Sequence, residues 1–198
     1  AWQISKALLD GIEKLKKLTV NVDFNIDWST LGIAAFMVDM SEFKRYLEDF
    51  LKNGPTFNNV VGMISEFAGM MGDALLLLGN LQWAGALKAV QGILEIVNGI
   101  KDIADNGANV DNVTTIVRGL GNLAFAVGLF TKNAKLAGAG LVISSFAIII
   151  REIADNWEAI KNGDWSGVDK VSLATAAIGV LAGVATALDV FKKFKKGK

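Results

Sequence analysis

The sequence predicts an all-α protein, and three observations carry that prediction. One phrase is spelled nearly twice, as Ile100-Lys-Asp-Ile-Ala-Asp-Asn-Gly107 and Ile150-Arg-Glu-Ile-Ala-Asp-Asn-Trp157. A single proline, Pro55, leaves long stretches with no helix breaker. Gly85, Gly92 and Gly99 fall seven residues apart, which aligns them on one stripe of a helix.

From the N-terminus, Ile4, Leu8, Ile12 and Leu15 recur at helical spacing. Leu18, Val20, Val22, Phe24 and Ile26 then alternate with Thr19, Asn21, Asp23, Asn25 and Asp27, the period of a strand with one polar face. No second strand follows, so this short β-strand must pair with another copy, pair with sequence outside the chain, or serve as an extended linker. It is the local hint of a homo-oligomer. Residues 1–30 therefore read as a helix plus a strand or linker, and residues 31–198 as a helical repeat region.

The repeat begins with a degenerate copy. Leu47–Gly54 aligns with Ile100–Gly107 at an offset of 53 residues. At the same offset Asn59-Val60 falls on Asn112-Val113, and Ala84-Gly85-Ala86 on Ala137-Gly138-Ala139. The unit is about fifty residues long, and the expectation is tandem helical hairpins that bury one another's apolar faces. The repeated phrase reads as a helix end. Ile100, Ile103 and Ala104 share one face, and Asn106-Gly107 supplies the stop. Asn53-Gly54-Pro55 stops the first copy, and Asn162-Gly163 stops the third after a further turn carrying Trp157 and Ile160. Asp111 or Asp169 then caps a second helix, predicted over Asn112–Lys132 or Lys170–Phe194.

The glycine stripe of the helix predicted over Leu81–Ala104, and the pair Gly179 and Gly183, point to close backbone approach. Such contacts suit either a tightly packed bundle in water or helices that live partly in lipid. Uncharged runs bear on the choice: Ala74–Leu87, Leu136–Ile150 and Val171–Leu188. Only the last reaches the roughly 17–25 residues of a spanning helix. The expectation is a chain soluble in water, with an apolar interior that inserts only on unpacking. Membrane contact would be transient, through Leu136–Ile150 and Val171–Leu188. The basic tail Phe191–Lys198 complements a helix C-terminus or meets anionic headgroups.

Composition narrows the chemistry. The chain is 52% hydrophobic and 20% charged, with zero formal net charge, which argues against sequence-specific nucleic acid as a partner. With no Cys there is no disulfide or thiol chemistry, and with no His the commonest general base and metal ligand is gone. The carboxylate pairs Glu48-Asp49 and Asp102 with Asp105 read as solvated helix-end charge. Gly138-Ala-Gly140 lacks the strand-turn-helix context of a phosphate loop. No catalytic, cofactor-binding or metal-ligating residue is assigned, and an enzyme is not expected. Because the sequence opens at Ala1 without an initiator Met, the expectation is a fragment or processed product of a longer protein.

The helix end Ile150–Gly167 (IREIADNWEAIKNGDWSG), with its flanking runs Gly119–Ile150 and Val171–Leu188, resembles the hydrophobic helical segment of phage tail tape measure proteins. Weaker similarity reaches back to about Leu31. The resemblance implies a structural role. Several copies would lie in the lumen of the virion tail tube, set its length, help assemble its subunits, and leave for the host cell envelope at infection. Tail-tube and tail-tip or baseplate proteins would be partners, and the apolar segment would help DNA cross the host membrane. A pore-forming toxin or bacteriocin-like helical domain and a soluble helical scaffold are the alternatives.

Overall fold

A computed structural model describes residues 3–10 and 26–189. Among these, every regular element is an α-helix: α1 (residues 3–10), α2 (Ile26–Asn53), α3 (Phe57–Leu77), α4 (Leu81–Asn106), α5 (Val110–Phe130), α6 (Ala134–Asp155), the short α7 (Trp157–Lys161) and α8 (Lys170–Ala187). The expected strand lies mostly outside the described residues. Where it overlaps them it is corrected, because Ile26 and Asp27 already open α2. Asp27 sits in the first turn, where a carboxylate is favoured by the helix dipole, and the apolar run after Leu31 carries the helix on. The division at residue 30 accordingly falls inside α2. The basic tail lies outside the described residues.

The six long helices close into a ring. Each packs on its successor, α6 meets α8 across the α7 excursion, and α8 returns to α2. The contacts are close because glycine faces glycine. A Cβ added to Gly92 of α4 would lie 2.7 Å from the Gly119 carbonyl oxygen of α5, and one on Gly119 equally close to that of Gly92. Gly121 and Gly140 join α5 to α6 in the same way, and Gly138 and Gly183 join α6 to α8. Gly85 and Gly99 also face α5, so the predicted glycine stripe lies along that interface.

Helix termini follow local chemistry. Gly54, Gly107 and Gly163 take positive φ where the Asn-Gly stops were expected. Asn59 and Asn112, 53 residues apart, make the same bonds. Each completes a capping box, with Thr56 or Asn109. Each also donates from Nδ2 to the preceding glycine carbonyl and to a carboxylate of the previous helix: Asn59 to Gly54 and Asp49, both at 2.9 Å, and Asn112 to Gly107 at 2.8 Å and Asp102 at 2.9 Å. The expected Asp111 cap is thereby corrected to Asn109, whose Oδ1 accepts from Asn112 N–H. Asp169 does cap α8, accepting from Ser172 N–H. These termini form the Asn-Gly end of the ring. At the opposite, turn end, Asn80 and Asn133 cap α4 and α6 after turns whose left-handed residues are Gly79 and Lys132.

Candidate functional site

A small apolar cluster of Val38, Ile148 and Ala176 lies elsewhere in the ring, and the larger apolar interior expected from composition is at the turn end. There Trp28, Leu31, Leu76, Phe125, Leu129 and Ala137 form an apolar plug. Above it the ring is filled by charge. Asp39 of α2 accepts from Lys88 Nζ at 2.8 Å, Gln91 Nε2 at 2.9 Å and Arg118 Nη2 at 2.6 Å. Lys88 Nζ also lies 3.0 Å from Asp73 Oδ1. Arg118 of α5 reaches Glu66 of α3 at 2.8 Å and Glu95 of α4 at 3.0 Å, and Asn122 donates to Glu95. One turn higher, Arg151 of α6 grips Glu42 of α2 with two bonds of 2.9 Å, and Arg45 adds a third at 3.1 Å. Of these, Asp39, Glu66, Asp73, Lys88, Glu95 and Arg118 are all at most 3% exposed.

The column continues to the Asn-Gly end. Asn98 and Asn58 bond to each other, and above them a polar recess of about 220 Å³ is lined by Arg45, Tyr46, Asn58, Asp102, Asn109 and Asn112. The carboxylate pairs read as solvated charge divide here. Glu48 and Asp105 stay at the surface beside Lys44 and Lys101. Asp49 and Asp102 instead receive the buried side chains of Asn59 and Asn112. In the connection after α7, the Ser166 hydroxyl and backbone N–H both donate to Asp164, which holds that carboxyl below its ordinary range.

Outside the column the pattern inverts. Trp28–Phe43, Phe57–Leu77, Leu81–Ile100, Asn112–Phe130, Leu136–Ala154 and Val171–Ala187 present no exposed charged side chain; every charge in them is buried. Their outward positions are large and apolar: Phe67 is 55% exposed, Ile93 53%, Leu120 53%, Phe146 50% and Leu181 69%. The face of Ile100 and Ala104, expected to pack inward, points out as well, while Asn98 and Gly99 turn to the ring interior. Scattered exposed apolar residues are ordinary on soluble proteins; buried charge under an apolar girdle is the informative combination. Four helices, α3, α5, α6 and α8, are long and apolar enough to cross a membrane by length and composition. Interior charges in α2 and α4, at Asp39, Glu42, Lys88 and Glu95, interrupt those helices as linear sequence.

Chemically the column is an ion-pair lattice. Among the described residues, no group of three or more carboxylates is arranged to hold a metal ion. Its members come from helices far apart in sequence, such as Asp39 and Arg118, so spacing alone could not assemble them. A sequence signal does exist: Glu66 and Asp73 are the two charges inside the apolar α3, and Arg118 is the one charge of α5 beyond its first turn. Comparison of the chain with protein-family models, with curated proteins and with solved structures gives no match.

Proposed function

We propose that this chain is a structural, non-catalytic protein whose six-helix ring works embedded in a lipid bilayer, crossing it as a folded unit. The observation that supports this best is the girdle free of exposed charge around an interior that buries a column of ion pairs. A 21-residue helix such as α3 or α5 is about 31 Å long, against a hydrocarbon core of about 30 Å. Ionisable groups in that layer are tolerated where they face the bundle interior and pair with one another, which is the arrangement of Asp39, Glu66, Glu95 and Arg118. In water the same girdle would be a large apolar surface.

Within that reading we assign the chain the role its sequence resemblance implies, the membrane-entering segment of a phage tail tape measure protein. It would be carried as several copies in the tail tube beside tube and tip proteins, and released into the host envelope. The ring is then three copies of one fifty-residue helical unit; the matched bonds of Asn59 and Asn112 support that equivalence. The girdle supports the membrane step of this role, and glycine-faced contacts suit helices that must repack on leaving a narrow tube. The second reading is a pore-forming domain, favoured by the polar column.

Co-flotation with phosphatidylcholine–phosphatidylglycerol liposomes tests the membrane step. The chain should rise with the vesicles and resist extraction at high pH, and Ile93→Asp should abolish this. A chain that stays in the aqueous fraction as a stable monomer would overturn the proposal. Release of a trapped small dye distinguishes the two readings: the plugged, ion-paired column should leave vesicles sealed, whereas a pore-former would empty them.

A further inference from the structure

The described tryptophans occupy only the two ends of the ring. Trp28 and Trp83 belong to the turn end, the second of them 65% exposed in the first turn of α4. Trp157 and Trp165 belong to the Asn-Gly end, where both are exposed in the connection from α6 to α8. Tyr46 is buried. Among the described residues no exposed Trp or Tyr lies at mid-height, where the exposed aromatic side chains are Phe67 and Phe146. Charge follows the same division. Lys132 and Lys135 flank the turn end, and Lys101, Asp105, Glu158 and Lys161 the Asn-Gly end.

This distribution has a chemical counterpart. The indole ring is a large apolar body with one N–H donor, and it is most stable where hydrocarbon gives way to hydrated ester and headgroup. Phe, Ile and Leu, with no polar atom, suit the interior of the layer. Trp83 lies about 27 Å along α4 from Lys101, its first exposed charge, and Trp157 stands one residue, Asn156, beyond the 22 residues of α6, which span about 33 Å. Both separations bracket the ~30 Å hydrocarbon thickness. The α6–α8 connection adds a feature suited to that boundary: Ile150, Ile153, Ala154 and Trp157 line a shallow, almost wholly apolar recess beside it.

We propose that Trp83 on one side, and Trp157 with Trp165 on the other, are interface anchors that fix the depth of the ring in a bilayer, with the glycerol-ester boundary of each leaflet as their ligand. The α7 connection is then an interfacial segment lying on the membrane surface. This rests on the bilayer reading above and adds a depth to it.

Depth-dependent fluorescence quenching tests the assignment. Single-Trp chains retaining only Trp83, Trp157 or Trp165 are reconstituted in phosphatidylcholine bilayers brominated either at acyl carbons 6 and 7 or at carbons 11 and 12. A fourth chain carries Ile93→Trp as its sole indole and serves as the mid-depth reference. If Trp28→Phe disturbs the plug, as shown by lost helical circular dichroism, Trp28 is kept throughout and its signal subtracted using a chain that holds Trp28 alone. The three natural positions should be quenched at least twofold more by the shallow bromines than by the deep ones, and Ile93→Trp should show the reverse order. Deep quenching at Trp83, or no quenching at Trp157 and Trp165 while Ile93→Trp is quenched, would overturn the anchor assignment and leave the bilayer reading standing. No quenching at any position, Ile93→Trp included, would remove the bilayer reading itself.

Discussion

Arg118→Met removes the cation that joins α5 to three other helices at the centre of the ring. In the native chain its guanidinium contacts Asp39 at 2.6 Å, Glu66 at 2.8 Å and Glu95 at 3.0 Å, with the side chain 4% exposed. After substitution Asp39 keeps Lys88 and Gln91, but Glu66 keeps only Gln91, and Glu95 only Asn122. Two buried carboxyl groups thus lose the only cation that faces them. Breaking a buried pair from one side costs about 3–5 kcal/mol, because the remaining charge has lost its compensation. For a chain of this size that is a fall in Tm of about 6–20 °C. The assay is thermal unfolding by circular dichroism in mild detergent. Glu66→Gln and Glu95→Gln added to Arg118→Met should restore most of the loss, because exchanging a whole buried ion set for neutral groups of similar volume is close to neutral. An Arg118→Met protein within ~0.5 kcal/mol of the parent, or a triple variant worse than the single one, would refute the ion-pair account of the interior.

Three further outcomes follow from local geometry and are read by the same unfolding assay. Asn112→Ala should cost about 1–2 kcal/mol through the lost half of a capping box and the lost bridge to Asp102; Asn59→Ala should match it within ~0.5 kcal/mol, since its bonds are the same. Lys132→Gly should stabilise the chain by about 0.5–1 kcal/mol, because Lys132 holds a φ of 54° at the turn where Gly79 stands in the equivalent position; a loss would show that the Lys132 side chain matters more than its backbone strain. Gly119→Ala gains about 1 kcal/mol of helix propensity, yet it forces a methyl to within 2.7 Å of the Gly92 carbonyl, so a net loss of about 1–3 kcal/mol is expected; net stabilisation would mean that α4 and α5 are not held in close backbone contact.

Helix ends and close contacts were legible in the sequence because both are written locally. Asn53-Gly54, Asn106-Gly107 and Asn162-Gly163 mark stops through a conformation that glycine adopts freely, and Gly85, Gly92 and Gly99 mark a contact stripe by spacing alone. The direction in which the helices face was not legible. An apolar stripe such as Ile100, Ile103 and Ala104 looks the same whether it meets a protein core or lipid, and the habit of water-soluble proteins turns it inward. The charge column was hidden for another reason: Asp39 finds Lys88 and Arg118 at sequence separations of 49 and 79 residues, so each appears as an isolated charge until the ring closes. The cap at Asn109 in place of Asp111 is a smaller miss. Either residue type caps well, and the choice was made by Asn112, whose amide completes the box from three residues downstream.

The girdle itself can be probed position by position, because the chain has no cysteine and each introduced one is the only labelling site. Spin labels at Ile64, Ile93, Leu120, Phe146 and Leu181 in liposome-reconstituted protein report collision with oxygen, which concentrates in hydrocarbon, and with a water-soluble nickel chelate. High oxygen and negligible nickel accessibility at all five, rising to nickel accessibility at Lys101 and Asp164, is the predicted result. Nickel accessibility at Ile93, Leu120 and Phe146 equal to that at Asp164 would contradict it.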